Sequence, residues 1–168
     1  AVVDSGIDGD HPHFKRHDSL AIHPKRKPDP IEHRDFTGGD APLRDMFGHG
    51  THVAGILAGE AEAAWLARQS RQKKRPLLGV RRIREEEGEI RYHEVKVDEI
   101  RGMATEALLL SLKVLDDDGR GNVSNILAAL AYVQELNGHG RDCRVHGINL
   151  SLGYKFSPEW FACGQSPL

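Results

Sequence analysis

The chain has 168 residues, enough for one domain with a buried core, and is 39% hydrophobic but only 6% aromatic. Its 25 acidic residues against 23 Lys and Arg leave a net charge of −2, so no global field steers it to nucleic acid or a membrane surface. No stretch reaches the roughly 18 apolar residues of a membrane span, and no signal peptide is visible.

Val2 and Val3 read as the end of a strand that runs into Asp4 at a Ser5-Gly6 turn. From Asp8 to Met46 the chain is rich in His, Pro, Asp and Gly. It reads as a long surface excursion with turns at Lys27-Pro28-Asp29-Pro30 and Thr37-Gly38-Gly39-Asp40. A helix is expected next. Val53, Ile56 and Leu57 line one face, Ala54, Gly55, Ala58 and Gly59 permit close packing, and Ala61 to Leu66 extend it. Then come Arg68, Arg71, Lys73, Lys74, Arg75, Arg81, Arg82 and Arg84, followed by Glu85, Glu86, Glu87 and Glu89. Around that acidic turn, Leu78 to Arg84 and Ile90 to Val97 suit a β-hairpin bent at Gly88, with opposite charges across from one another. Ala107 to Leu115 reads as a strand buried on both faces. A helix from about Val123 to Leu136 repeats apolar residues at Val123, Ile126, Leu127, Leu130 and Val133 and can end at Gly138. Val145 to Leu152 is the next expected strand. Strand, helix and strand in this order predict a mainly parallel α/β sheet flanked by helices, with right-handed crossovers. Cys143 and Cys163 have no metal spacing; buried or partly buried free thiols are the simpler reading, and a disulfide stays open.

The chemistry concentrates in Ala1-Val2-Val3-Asp4-Ser5-Gly6-Ile7-Asp8 and Gly48-His49-Gly50-Thr51-His52-Val53-Ala54-Gly55. A general base that activates a hydroxyl needs an imidazole held in one tautomer on a rigid element. Flanking glycines let backbone and substrate come close to His49. An acid partner should stand where a parallel strand ends, as Asp4 does. Asp8 reads as a turn residue and His52 as structural. The pair His49 and His52 lacks the intervening glutamate of a zinc-peptidase helix.

Together and in this order, Asp before His, the two segments resemble the first two catalytic segments of the subtilisin-like serine peptidases, the subtilase family. Leu112-Lys113-Val114-Leu115 with Gly119-Arg120-Gly121, and Ile148-Asn149-Leu150-Ser151-Leu152-Gly153, resemble the strands lining the two sides of that family's substrate cleft. The resemblance implies a subtilisin-like α/β fold, incomplete at both ends, with residues 1–168 as the amino-terminal portion of one catalytic domain. It implies a charged hairpin inserted at about 60–101. It implies a serine endopeptidase working through an Asp-His-Ser triad, with Asp4 and His49 catalytic. Gly119, Arg120, Gly121, Ser151, Leu152 and Gly153 would bind a polypeptide substrate as an added strand.

The nucleophile segment, of Gly-Thr-Ser type, is missing. Ser70, Ser111, Ser124, Ser151, Ser157 and Ser166 all lack its context, so these residues alone are expected to be inactive. No cofactor is required. A structural calcium stays open by the resemblance, although the usual aspartate of that site, after the His11-Pro12 pair, falls on His13. The family is compatible with secretion or the cell envelope, without a signal here to decide.

Other classes are weaker. Gly119-x-Gly121 continues to Ser124 where a dinucleotide fingerprint needs glycine, beside Asp116, Asp117 and Asp118, which repel phosphate; that run is most simply a solvated loop, with tuning of the cleft toward basic substrates as the alternative. The basic stretch Arg68 to Arg84 lacks interleaved aromatics, so no nucleic-acid partner is expected. His11, His13, His17, His23 and His33 are not spaced for a metal geometry. The remaining alternative is a pseudo-protease that binds peptides without cutting them.

Overall fold

The computed structural model describes residues 1–21, 31–61, 63–72, 78–84, 88–97 and 99–153. A four-stranded sheet forms its centre, built from β1 (Val2–Asp4), β2 (Arg34–Asp35), β5 (Ser111–Lys113) and β6 (Asn149–Leu150) in the order β2-β5-β1-β6. Every pairing is parallel, with Val3 opposite both Leu112 and Leu150. The sheet is covered on both faces, as parallel strands require. Pleating sends successive side chains to opposite sides. Val2 packs with Ile7, Phe14, Leu109 and the Ala54 and Ala58 side of α1 (His49–Ala58). Val3 packs with Leu110, Leu112, Val114 and the Ile126, Ala129, Tyr132, Val133 and Leu136 side of α3 (Val123–Leu136). Both β1 and β5 are fully buried over their length.

Several expectations are corrected. The excursion from Asp8 to Met46 is not confined to the surface: it includes a short 3-10 turn at Pro12–Phe14, buries Phe14, and supplies β2 at the sheet edge. His33 anchors that edge. Its Nε2 donates to the Leu20 carbonyl, and its Nδ1 accepts from the Ser111 amide at 2.9 Å. The turn at 37–40 forms around Asp35, which accepts from the Thr37 amide and hydroxyl and from the Ala41 amide; the turn at 27–30 lies outside the described residues. The buried face of α1 is Gly50, Ala54 and Ala58, one residue per turn; Val53 and Leu57 pack partly buried beside it, while Ile56 is exposed. Small side chains win because the helix lies directly on β1 and the turn after it. A Cβ on Gly50 would collide with the Gly6 carbonyl oxygen.

Ala61 to Leu66 does not extend α1. Gly59 ends it in an extended conformation, Glu60 forms an antiparallel bridge with Arg101, and a separate α2 follows (Ala63–Gln72). The strands at 107–115 and 145–152 are shorter than expected, because only residues facing β1 or β2 find ladder partners. The two outer strands of the strand–helix–strand unit do not adjoin; β1 lies between β5 and β6. Helix α3 spans the expected residues, and its C-cap Asn137 organises the return to β6 by accepting from the amides of Arg144 and Val145. Cys143 is exposed rather than buried; Cys163 lies outside the described residues.

The hairpin forms as β3 (Leu78–Arg84) and β4 (Ile90–Lys96). Its register does not set opposite charges across the strands. Arg81 faces His93, Arg82 faces Tyr92, Ile83 faces Arg91 and Val80 faces Glu94. The turn glutamates at 85–87 lie outside the described residues. Among the described residues, no helix is long and apolar enough to cross a membrane.

Candidate active site

Asp4 ends β1 and is completely buried. His49, the first residue of α1, presents Nδ1 to both carboxylate oxygens of Asp4, at 2.8 and 2.9 Å. A nitrogen facing a carboxylate carries the proton, so Nε2 is the acceptor of the neutral ring. The Ser5 amide donates a further bond of 2.7 Å to Asp4 Oδ1. The two groups come from segments 45 residues apart, and they meet because α1 starts at the carboxyl end of β1. Gly48, at φ +85°, turns the chain into that helix.

The His49 side chain is 40% exposed, and it lines a cleft of about 630 Å³. One wall is Leu115, Gly119, Arg120 and Gly121; the other is Leu150, Ser151, Leu152 and Gly153. The residues singled out in the sequence at 119–121 and 151–153 therefore share one cavity with His49. Phe47 also lines it, with its ring against Gly119. A Cβ at Gly119 would occupy the ring's place, and one at Gly121 would meet the Val114 carbonyl. The aspartate run beside this wall is structural. Asp116 Oδ1 accepts from the amides of Asp118 and Arg120, and Asp117 pairs at 2.9 Å with the buried ammonium of Lys113, which also bonds the Arg44 carbonyl.

One residue escaped the sequence reading. Asp45 accepts four hydrogen bonds, from the Gly48 amide, the Thr51 amide, the Thr51 hydroxyl and the Ser5 hydroxyl. An acidic residue a few positions before a helix start is the available signal, a capping signature; the αL glycine between them displaced it from the usual position. Asp8 forms a turn, accepting from the Asp10 amide, and its own amide donates to Thr51 Oγ1.

The histidines divide among tasks. His11, His13 and His52 line a second cavity of about 420 Å³, with Arg101 and Ile56. Burial, helped by the neighbouring His11, lowers the pKa of His13. Burial likewise lowers that of His33, against the Leu20 carbonyl bond. His17 bonds Glu60 at 2.8 Å, and Arg16 and Arg101 complete that cluster. The His17 bond first, and then the two guanidiniums, hold the Glu60 carboxyl below its ordinary range despite burial. Asp35 is also lowered: burial alone would raise it, but the Thr37 and Ala41 donors and the Lys113 charge outweigh that. Among the described residues, no group of three or more His, Cys, Asp or Glu is arranged to hold a metal ion; His23 lies outside them.

The family model described as "Subtilase family" matches residues 1–162. A thermophilic serine proteinase of Bacillus sp. (strain AK1) is 29% identical over 153 residues, covering 91% of this chain and 25% of that protein. Subtilisin-like protease 3 of Pseudogymnoascus destructans is 27% identical over 136 residues, 76% of this chain and 24% of that protein. Pyrolysin of Pyrococcus furiosus is 32% identical over 115 residues, 65% of this chain and 7% of that protein. The chain thus spans about a quarter or less of the length of these relatives. A family match over nearly all of its residues, on a parallel α/β sheet flanked by helices, places this chain in the subtilase family.

Proposed function

We propose that this chain supplies the acid and base of a serine endopeptidase: Asp4 holds and charge-balances the imidazole, and His49 is the general base. The observation that carries the reading is the Asp4–His49 contact, with His49 on the wall of the 630 Å³ cleft. Residues 1–168 then form the amino-terminal portion of one catalytic domain, with about 60–101 as an insertion, and the serine comes from sequence outside them. The serine hydroxyl gives its proton to His49 Nε2 as its oxygen attacks the scissile carbonyl. The imidazolium, stabilised by Asp4, then returns that proton to the leaving amine. The substrate is a polypeptide, clamped as an extended strand between the 119–121 and 151–153 edges, where small residues leave the backbone open. The chemistry calls for no cofactor.

The test uses the complete protein, a serine-directed phosphonofluoridate and a chromogenic peptide. Turnover should fall on the order of 10⁴-fold in Asp4→Asn and 10⁶-fold in His49→Ala, with labelling lost in the latter. Undiminished labelling and hydrolysis in both variants would remove Asp4 and His49 from the mechanism. A wild-type protein that binds the peptide, is never labelled and leaves it intact would be the pseudo-protease instead.

A further inference from the structure

The Asp4–His49 contact is only as reliable as the junction between the turn after β1 and the first turn of α1. That junction converges on one carboxylate. Asp45 Oδ1 accepts from the Ser5 hydroxyl at 2.8 Å and the Gly48 amide at 2.8 Å. Its Oδ2 accepts from the Thr51 amide at 2.8 Å and the Thr51 hydroxyl at 2.6 Å. A carboxylate offers about four lone-pair sites, and these bonds fill them. Two of the donors are backbone N–H groups at the start of α1, which no intrahelical carbonyl can satisfy.

The carboxylate also orients the two hydroxyls. Ser5 has a single O–H, which goes to Asp45, so its oxygen faces the Gly50 amide and accepts from it at 3.0 Å. Thr51 does the same, giving its proton to Asp45 and accepting from the Asp8 amide at 2.9 Å. Each hydroxyl thereby joins the two segments. Ser5 adjoins Asp4, and Gly50 adjoins His49.

We propose that Asp45 is a positioning residue for the Asp4–His49 pair, locking the His49 end of α1 to the Asp4 end of β1 through Ser5 and Thr51. The proposal rests on the reading of that pair as catalytic. Asparagine matches aspartate in size but keeps a single acceptor oxygen. Its amide nitrogen would present hydrogens either to the Ser5 and Gly48 donors or to the Thr51 donors. One hydroxyl must then turn away, and one of the two bridges opens. Small displacements of a catalytic group cost on the order of 100-fold in rate.

The experiment compares Asp45→Asn with wild type in the complete protein. We expect kcat to fall about 10- to 100-fold with KM within about twofold, and phosphonofluoridate labelling to slow in parallel. The His49 Nδ1 proton resonance should shift while circular dichroism and Tm report a folded protein. A folded Asp45→Asn protein with unchanged kcat and an unmoved Nδ1 resonance would overturn the proposal and leave Asp45 a helix cap only. If Asp45→Asn does not fold, Thr51→Val, which keeps side-chain shape and removes only the shared hydroxyl, takes the same readouts. A wild-type protein that is neither labelled nor active would instead defeat the protease reading; the Nδ1 resonance then decides alone whether Asp45 positions the pair.

Discussion

The sheet strands and the hairpin strands invert the usual relation between length and weight. Strands β1 and β5 have three residues each and bury all of them. Strands β3 and β4 have seven residues each and leave all of them exposed except Gly79. The short strands are paired on both sides and covered by α1 and α3, so each side chain there is surrounded. The hairpin has no second layer among the described residues, and a lone two-stranded hairpin is marginal in water. The Asp4–His49 pair stands on the first kind of structure. The second kind leaves and rejoins the domain through a narrow base, where the Ala61 amide bonds the Ile100 carbonyl at 2.9 Å and Glu60 pairs with Arg16, His17 and Arg101.

Matched truncations sharpen this contrast most. Leu112→Ala, at a fully buried site, should cost about 2–5 kcal/mol in denaturant unfolding. Val80→Ala in β3, 69% exposed, should stay within about 0.5 kcal/mol. Similar losses at both sites would mean that the hairpin is packed against something in solution. Next is Gly50→Ala. The methyl group has to displace the Gly6 backbone, and we expect a loss of about 1–3 kcal/mol together with reduced activity. A neutral result would show that α1 can slide on β1.

His33 gives a pH-dependent comparison inside the core region. Its folded pKa is depressed by burial, and its neutral Nδ1 accepts from β5. The unfolded chain therefore binds the proton more readily. This stability is fully present above the unfolded pKa of about 6.5, and it is lost as pH falls through the folded value. Urea midpoints from pH 7.5 down to 5 should decline, and less steeply in His33→Gln; parallel slopes would assign the decline elsewhere. A small effect is expected even from a large excision. Replacing 73–98 with a short Gly-Ser turn in the complete protein, which leaves α2 and its buried Leu66 in place, should preserve folding and the His49 Nδ1 resonance, with Tm changed by only a few degrees. Failure to fold would show that the hairpin belongs to the core.

Elements governed by local signals were legible in the residues. The α3 boundaries followed from apolar spacing and the Gly138 end, and the hairpin from two strand-like runs around the acidic turn and Gly88. The proximity of Asp4 to His49 was legible through family resemblance, since residues 45 apart carry no local sign of contact. Strand β2 was not legible. Two residues, Arg34 and Asp35, in a segment rich in His and Pro pair with β5, held there by His33 on Ser111 and Leu20 and by Glu32 on the Tyr132 hydroxyl, contacts that no local pattern announces. The burial of Lys113 was equally hidden, because its partners Asp117 and the Arg44 carbonyl come from loops that meet at the end of β5.

By itself, the sequence determined the α/β class, the family and the two segments from which the Asp4–His49 pair is built. These rest on periodicity, turn residues and short motifs, all readable within a few positions. Tertiary structure alone decided which side of α1 is buried, where the strands stop, how the hairpin is registered, and that Asp45 joins the two segments. Each of these depends on how closely distant backbones approach. A Gly50 amide can reach Ser5 only if small residues let α1 rest on β1. A strand lasts only as long as its neighbours do, and a carboxylate becomes a junction only when donors from two elements converge on it.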